Sequence, residues 1–286
     1  MADADPNRIL IVDDDPDIHQ LLATALRNRN YLIEHKYDGL DALSLLRARS
    51  FDLVLTDVRM PGLNGLELLR KMHEIRAATR VLVMTAEGTP ATVIGSLRDQ
   101  AFGYFTKPFS LDTAAETVAL ALSAGAPEDD IEVVSATPQW LTLNLRCKFE
   151  VADRIIPFLR ELSIELSIQD RENVGTAFRE LLMNAIEHGA GGDPSKAVRL
   201  DYMRTAKSIL YKLLDPGEGF SPSNLPHAAI SNAPDAPYQH FEARERLGLR
   251  PGGFGILVSK SLADELIYNE KGNEVLLIKY LSSSEH

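Results

Sequence analysis

Five short apolar runs alternate with five helical patterns across the first 124 residues, and this alternation constrains the fold more than any other feature. The apolar runs are Ile9–Val12, Leu32–His35, Leu53–Thr56, Val81–Thr85 and Tyr104–Thr106. The helical patterns start near Pro16, Gly39, Asn64, Thr89 and Leu111, with apolar residues three and four positions apart. Strands and helices that alternate in this way form a parallel sheet covered by helices. We therefore predict a doubly wound, five-stranded parallel sheet over residues 1–124.

A different pattern follows a segment of small, acidic and proline residues, which we interpret as a linker over residues 125–138. A strand-like alternation begins at Leu141, and two long helical patterns come next, the second with Asp170 as its predicted N-cap. Further strands are predicted over residues 197–203, 208–214, 266–269 and 274–281, with one more helix before the last two. Residues 139–282 are thus predicted to form an α/β sandwich, with helices on one face of a mixed sheet.

Composition excludes several classes of protein. One cysteine, Cys147, among 286 residues excludes a disulfide framework and any zinc site built from cysteines. No apolar run approaches the roughly 18 residues of a membrane span, and the first residues do not resemble a signal peptide, so we expect a cytoplasmic protein without a membrane partner. Thirty basic and 41 acidic residues give a net charge of −11, which argues against direct DNA binding.

Polar residues stand where the predicted strands of the first half end. They are Asp13, Asp14 and Asp15 after the first strand, Asp57 at the third, Thr85 at the fourth and Lys107 after the fifth. The carboxyl ends of parallel strands lie at one edge of a sheet, so these groups should come together there, although acidic strand ends can also be solvated turns. Clustered carboxylates suit Mg²⁺, and a lysine and a hydroxyl opposite them would stabilise a phosphoryl group on a carboxylate.

The segments Leu10-Ile-Val-Asp-Asp-Asp-Pro16, Asp57-Val-Arg-Met-Pro-Gly62 and Tyr104-Phe-Thr-Lys-Pro-Phe109 resemble the response-regulator receiver domain, which has a flavodoxin-like fold. The resemblance implies that Asp57 is the phosphoacceptor and Tyr104 a switch residue. Asp14, Asp57 and the Arg59 carbonyl would bind Mg²⁺, with Asp13 acting through water. Thr85 and Lys107 would bind the phosphoryl oxygens. It also implies a cis Lys107–Pro108 bond and an upstream histidine kinase or phosphotransfer protein.

One polar stripe in the second half is suited to a metal-nucleotide site. Four polar residues form a stripe along one helix, beside the apolar face around Leu181: Glu180, Asn184, Glu187 and His188. An amide oxygen can hold Mg²⁺ while a carboxylate one turn away polarises an attacking hydroxyl. Alone, such a stripe is more often a solvated helix face.

Two glycine-rich segments follow the helix, Asp215-Pro-Gly-Glu-Gly-Phe220 and Pro251-Gly-Gly-Phe-Gly-Ile256. Glycines let a backbone approach a ligand closely, and amide groups at a helix N-terminus favour phosphate. In this order, Glu180-Leu-Leu-Met-Asn-Ala-Ile-Glu-His-Gly189 and Gly252-Gly-Phe-Gly-Ile-Leu-Val-Ser-Lys-Ser-Leu-Ala-Asp264 resemble the GHKL ATPases, which have the Bergerat ATP-binding fold, and among them the anti-sigma-factor serine kinases.

The GHKL resemblance implies roles for the residues of these motifs. It implies that Asn184 binds Mg²⁺ and that Glu180 is the catalytic base. Asp215 would accept a hydrogen bond from the adenine amine, and Gly217 and Gly219 would shape the base pocket. Gly253 and Gly255 would lie beside the phosphates. One departure stands out, because many relatives have a threonine near the adenine where this chain has Glu274-Val275. The segment between the glycine boxes contains Arg244, Arg246 and Arg250, which either reach a γ-phosphate or are plain surface charge.

The leading hypothesis from these motifs is a response regulator whose output domain is an ATP-dependent serine/threonine kinase. Its substrate would be a STAS-type anti-anti-sigma protein, with a sigma factor as a further partner. The alternative is a non-catalytic GHKL module that sequesters a partner under receiver control. A hybrid histidine kinase is excluded by architecture, because residues 125–138 have no room for the two-helix phosphoacceptor hairpin. The sequence leaves a homodimer open.

Overall fold

The computed structural model describes residues 5–27, 30–75, 78–86, 88–124, 130–219 and 254–281. The chain divides into two compact units, residues 1–129 and 130–286. No helix in the described ranges is long and apolar enough to cross a membrane.

The first unit is built on a parallel sheet with strand order β2-β1-β3-β4-β5, which confirms the predicted doubly wound fold. The strands are β1 (Asn7–Val12), β2 (Tyr31–Lys36), β3 (Leu53–Asp57), β4 (Arg80–Thr85) and β5 (Gly103–Thr106). The helices are α1 (Pro16–Leu26), α2 (Gly39–Ala48), α3 (Gly65–Ile75), α4 (Pro90–Arg98) and α5 (Leu111–Ser123). The central strands are buried on both faces, as expected where helices cover both sides of a sheet.

Short polar residues start these helices where the sequence pattern predicts. The side chains of Asp15, Asp38, Thr89 and Ser110 each accept a backbone N–H of the first turn of α1, α2, α4 and α5. Such caps satisfy amide groups that have no partner within the helix. They fix where each helix leaves the sheet edge, and so fix the loops that surround the polar strand ends.

The second unit is an α/β sandwich, as predicted. Its six-stranded sheet has the order β10-β11-β9-β8-β7-β6. The strands are β6 (Ile131–Thr137), β7 (Trp140–Arg146), β8 (Ala197–Arg204), β9 (Ser208–Leu214), β10 (Glu265–Tyr268) and β11 (Glu274–Tyr280). The helices are α6 (Phe149–Leu162), α7 (Ile168–Asn184), which continues as a π-helical segment (Ala185–Gly189), and α8 (Gly255–Leu262). All pairings of the described strands are antiparallel, where the sequence predicted a mixed sheet.

Two predicted boundaries in this unit are wrong. The predicted linker 125–138 is too long, because Ile131–Thr137 form β6 and pair with β7 across a tight turn; its acidic and small residues concealed the strand. The N-cap of α7 is Ser167 rather than Asp170, since the Ser167 hydroxyl accepts the Asp170 N–H at 3.0 Å and donates to the Asp170 carboxylate at 2.7 Å. Asp170 therefore lies inside the first turn and completes the cap from there.

One face of this sheet packs against the helices. The residues that point to the helices alternate along each strand: Leu141, Leu143 and Leu145 on β7, Val198, Leu200 and Tyr202 on β8, Ile209, Tyr211 and Leu213 on β9, and Val275 and Leu277 on β11 are all buried. The Tyr202 hydroxyl donates to the Leu162 carbonyl at the end of α6, at 2.9 Å. This packing places α7, and the polar stripe on it, beside the ends of β9 and β11.

Candidate functional sites

In the first unit, the structure brings two buried carboxylates together on one lysine. Asp57 ends β3, and Asp13 follows β1; the two residues are 4% and 0% exposed. The Lys107 ammonium lies 2.6 Å from Asp13 Oδ2 and 2.6 Å from Asp57 Oδ1. The strand ends therefore meet as the parallel topology predicts, with the fifth strand supplying the cation.

Charge at this strand edge is not balanced by Lys107 alone. Burial raises the pKa of Asp13, and it does so against the lowering effect of its hydrogen bond from Lys107. Burial acts to lower the pKa of Lys107, but hydrogen bonds to Asp13 and Asp57 outweigh it and raise that pKa, so the ammonium stays charged. Two buried carboxylates share one cation, with the exposed Asp14 next in the chain. The site therefore has room in its charge balance for a further cation.

The donor set at this edge suits Mg²⁺. In the described ranges, no three His, Cys, Asp or Glu side chains lie close enough to form a metal cage. Mg²⁺ does not need one, because it commonly binds one or two carboxylates and keeps several waters. The Arg59 N–H donates to Asp57 Oδ2, which places the Arg59 backbone beside the same carboxylate. Asp14 remains at the surface, where water has access.

The hydroxyl and aromatic residues predicted for this site are buried. Thr85, the last residue of β4, and Tyr104 on β5 are each 1% exposed, so the Tyr104 ring already lies inside the protein. The Lys107 N–H donates to the Thr85 carbonyl at 2.7 Å, which joins the ends of β4 and β5. The Lys107–Pro108 bond is cis, as predicted.

Sequence reasoning missed one residue of this site, Gly65 at the start of α3. A Cβ on Gly65 would lie 2.0 Å from the Asp57 carbonyl oxygen, so α3 can begin directly against the end of β3 only because residue 65 has no side chain. Its N–H donates to the Val58 carbonyl at 3.1 Å, which closes the loop after Asp57. The Asn64-Gly65 pair is the sequence signal that could have identified this close approach.

In the second unit, the polar stripe of α7 meets the start of α8. Glu180 and Asn184 are half-buried, one turn apart. A Cβ on Gly255, the first residue of α8, would lie 2.7 Å from Glu180 Oε2 and 3.2 Å from Asn184 Nδ2. The start of α8 therefore lies against the carboxylate and the amide, and the N–H groups of a helix N-terminus suit an anion there.

Asp215, at the end of β9, lies in a cradle of glycines. Its Oδ1 accepts the Gly217 N–H at 2.8 Å, and a Cβ on Gly189 would lie 2.4 Å from its Cγ. Burial raises the pKa of Asp215, partly offset by the hydrogen bond from Gly217 and by the charge of Lys271. No hydrogen bond to Oδ2 forms within the described part of the chain. The carboxylate is thus held by one oxygen, and the other is available to an amine donor.

The turn between β10 and β11 holds the first glycine-rich segment, residues 215–219, in place. Sequence reasoning did not identify this turn as part of the site. Gly219 has φ +84°, and a Cβ there would lie 1.9 Å from the Lys271 carbonyl oxygen. The Lys271 ammonium donates to the Gly217 carbonyl at 3.1 Å, while the Asp215 N–H donates to the Asn273 carbonyl at 2.9 Å. Only a long-range pairing creates these contacts, so no local signal identified Lys271 or Asn273.

Some predicted residues cannot be placed. Gly253, together with Arg244, Arg246 and Arg250, lies outside the described residues. Of the other predicted polar residues, Glu187 is half-buried and His188 exposed, and both belong to the π-helical segment that ends at Gly189.

Comparison with known proteins gives the same division. Residues 9–119 match the response regulator receiver domain, and residues 145–279 match the histidine kinase-like ATPase domain. Response regulator MprA of Mycobacterium avium is 34% identical over 137 residues, which cover 48% of this chain and 60% of that protein. Transcriptional regulatory protein ZraR of Salmonella typhimurium is 37% identical over 129 residues, 45% of this chain and 29% of that protein. This chain thus spans less than two thirds of the length of either relative.

Among solved structures, a CheY-like response regulator receiver domain protein from Methanospirillum hungatei has 29% sequence identity and a TM-score of 0.40, and the match covers 41% of this chain and 94% of that one. With the two family matches in chain order, this chain contains a response regulator receiver domain followed by a histidine kinase-like ATPase domain.

Proposed function

We propose that the protein is a two-component response regulator that is phosphorylated on Asp57 and whose output domain is an ATP-dependent protein serine/threonine kinase. The observation that carries the enzymatic part is the contact of Gly255 with both Glu180 and Asn184. It puts a candidate base, a candidate Mg²⁺ ligand and the amide groups of a helix N-terminus around one small volume, which is the set of groups that phosphoryl transfer requires.

In the receiver domain, an Asp57 carboxylate oxygen would attack the phosphorus of a phosphohistidine on an upstream histidine kinase or phosphotransfer protein, and the phosphorus–nitrogen bond would break with the histidine imidazole as leaving group. Lys107 already contacts Asp57 and would neutralise the phosphoryl oxygens, with the Thr85 hydroxyl as a second ligand. Mg²⁺ bound at Asp14, Asp57 and the Arg59 carbonyl, with Asp13 acting through water, would shield the charge of the incoming group. Tyr104, buried on the neighbouring strand, would be the residue whose packing reports the modification.

In the ATPase domain, the open oxygen of Asp215 would accept the adenine amine, and Gly217 and Gly219 would let the base approach the backbone. Asn184 would hold Mg²⁺, and the first turn of α8 at Gly255, with Gly253, would face the phosphates. The γ-phosphoryl group would come from bound Mg²⁺-ATP and pass to the substrate hydroxyl, with ADP as the leaving group. Glu180 would take the proton of the attacking hydroxyl.

The substrate we propose is a serine or threonine of a STAS-type anti-anti-sigma protein, with a sigma factor as a second partner. The support is the amino-acid sequence of two motifs, Glu180 to Gly189 and Gly252 to Asp264, which resemble those of the anti-sigma-factor serine kinases. Retention of Glu180 favours an enzyme, because a domain that only binds a partner has no need of a base beside the phosphates.

The second candidate function is a non-catalytic module that sequesters its partner. Glu274 favours it, because this residue pairs with Leu214, next to Asp215, where many relatives have a threonine. Its carboxylate lies 3.6 Å from the Lys212 ammonium, and both side chains alternate with the residues that face the helices, so they lie on the other face of the sheet. The residue that faces the helices there is the buried Val275, and without a threonine hydroxyl at this position the adenine ring would bind more weakly while the phosphate end of the site is untouched.

Two labelling experiments test these proposals. Incubation with labelled acetyl phosphate and Mg²⁺ should label the wild type but not Asp57→Asn, and equal labelling of both would overturn the assignment of Asp57. Incubation with γ-labelled ATP and STAS proteins encoded nearby should transfer label to a partner serine or threonine. Loss of that transfer in Glu180→Gln identifies the enzyme, whereas tight partner binding without any transfer identifies the sequestering module.

A further inference from the structure

A pair of histidines, one buried and one half-buried, lies beside the acidic end of β1, outside every role assigned above. His19, on α1, is 5% exposed, and its Nδ1 lies 2.8 Å from Nδ1 of the half-buried His35 on β2. The ring of Tyr37 packs against His19 with 4.4 Å between centroids. The other buried positions of α1 are the apolar Leu22 and Leu26, so an imidazole in this row needs a polar partner to offset its burial.

The hydrogen bonds determine the protonation of the pair. His19 Nε2 lies 2.8 Å from the backbone carbonyl oxygen of Asp13, and a carbonyl only accepts, so Nε2 must carry the proton. In a neutral imidazole, Nδ1 of His19 is then an acceptor, and the N–H on Nδ1 of His35 donates to it. His35 therefore fixes the ring orientation of His19, and His19 in turn holds the Asp13 carbonyl.

Asp13 is held at every polar atom. Its N–H donates to the Lys36 carbonyl at 3.1 Å, and its carbonyl accepts from His19. Its Oδ1 accepts the Asp15 N–H at 3.0 Å, while Oδ2 accepts from Lys107 at 2.6 Å. The contact with His19 thus ties this acidic strand end to α1, in addition to the bond from the N-cap residue Asp15.

We propose that His19, oriented by His35, is a positioning residue that fixes the end of β1 so that Asp13 and Asp14 meet a divalent cation in the geometry that phosphorylation of Asp57 requires. The inference rests on the proposed Mg²⁺ site of the receiver domain. Groups that orient metal-binding residues through hydrogen bonds commonly contribute about 10- to 100-fold to metal affinity. The backbone of Asp13 and Asp14 is the part of the site that His19 can move.

The test is a calorimetric titration of the full chain with Mg²⁺, without nucleotide, so that the ATPase domain adds no metal site. His19→Leu keeps a side chain of similar size but cannot donate to Asp13, and its dissociation constant for Mg²⁺ should rise about 10-fold or more. His19→Gln keeps an N–H donor and should recover much of the affinity. Leu22→Ala is the matched control, because it removes buried contacts of the same helix without touching Asp13.

A purely structural role would lower the melting temperature of His19→Leu and Leu22→Ala alike and leave Mg²⁺ affinity equal to wild type, which would overturn the proposal. If His19→Leu does not fold, His35→Leu decides, since it leaves His19 in place but removes the group that orients it; unchanged affinity there also overturns the proposal. Mg²⁺ binding by the wild type without labelling of Asp57 would refute the proposed phosphorylation and leave the role of His19 to be judged by these affinities.

Discussion

The carboxylates of the two candidate sites have different hydrogen-bond and charge partners. In the receiver domain, Asp13 and Asp57 share the Lys107 ammonium at 2.6 Å from each, so each carboxylate contacts a cation directly. In the ATPase domain, Asp215 receives a backbone N–H from Gly217, and burial raises its pKa. A half-buried acceptor of this kind gains most from a ligand that brings a hydrogen-bond donor to it.

At the scale of single residues, we predict that substitution of Glu180 impairs phosphoryl transfer, whereas substitution of Asp215 impairs ATP binding. Glu180→Gln keeps the shape of the site but removes the base, so ATP should bind while phosphoryl transfer falls by about 10²-fold or more. Asp215→Asn replaces a charged acceptor with a weaker amide oxygen and should weaken ATP binding itself. Calorimetric titration with ATP and a transfer assay on both variants measure the two effects.

The matched control is Glu172→Gln, the same change on the exposed part of α7, where Glu172 pairs with Arg160. Both ATP affinity and transfer should be unchanged in this variant. Equal ATP affinity for the wild type and Asp215→Asn would show that the adenine is read elsewhere, and unchanged transfer in Glu180→Gln would remove Glu180 from the chemistry.

At the scale of secondary-structure elements, the change from α- to π-helix at Ala185–Gly189 shapes the candidate nucleotide site. The Ala190 N–H donates to the Ala185 carbonyl at 2.9 Å, five residues back, which widens the last turn. Widened turns of this kind occur often at functional sites. Here the turn brings the Cα of Gly189 against the carboxylate of Asp215.

We predict that Gly189→Ala weakens ATP binding by displacing Asp215, because the added Cβ would lie 2.4 Å from the Asp215 Cγ. Gly192→Ala is its control: no atom of the described residues lies within 4 Å of a Cβ there, and the cost is the strain of alanine at φ +69°. That strain should lower the free energy of unfolding by about 1–2 kcal/mol and leave ATP affinity unchanged. Calorimetry and thermal unfolding of both variants test this pair, and equal affinity losses would contradict it.

On the scale of the whole molecule, the ATPase domain should unfold in alkali through its buried tyrosines. Burial raises the pKa of Tyr202 to about 12 and raises that of Tyr211 further, against an ordinary value of about 10. Between pH ~10 and about 12, Tyr202 loses its phenolic proton in the unfolded chain but keeps it in the folded chain. The free energy of unfolding is therefore intact below pH ~10 and falls as the pH rises towards 12, by about 2 kcal/mol for Tyr202.

The chain has one tryptophan, Trp140 on β7, so intrinsic tryptophan fluorescence reports unfolding of the ATPase domain. Denaturant melts between pH 9 and 12 should show a steep loss of stability in the wild type and a shallower loss in Tyr202→Phe. The variant should also be less stable near pH 7, because it lacks the hydrogen bond to Leu162. Identical slopes for the two proteins would show that Tyr202 does not ionise with unfolding.

We also predict that the receiver domain controls the ATPase domain. Beryllofluoride, a phosphoryl mimic, should change ATP affinity in the wild type by a factor within the usual allosteric range of about 5- to 150-fold, and should have no effect in Asp57→Asn. Hydrogen exchange with and without the mimic locates the change. Protection differences confined to residues 1–124, with unchanged ATP affinity, would show two independent domains on one chain.

The sequence by itself determined the receiver fold and the meeting of its polar residues. Parallel strands that alternate with helices all end at the same edge, so the order of elements along the chain was enough to bring Asp13, Asp57 and Lys107 together. The starts of α1, α2, α4 and α5 followed from apolar periodicity, and the structure has a side-chain cap at each of them, an interaction that acts over three or four residues.

Tertiary structure decided what depends on contacts between distant segments. The strand β6 was hidden in an acidic segment and is defined by its pairing with β7; the Lys271 turn reaches the first glycine box only through the pairing of β9 with β11. The contact of Gly189 with Asp215, and of His19 with Asp13, joins elements that periodicity describes separately. Periodicity reports which face of an element is buried, whereas the position of one atom against another depends on how those faces pack.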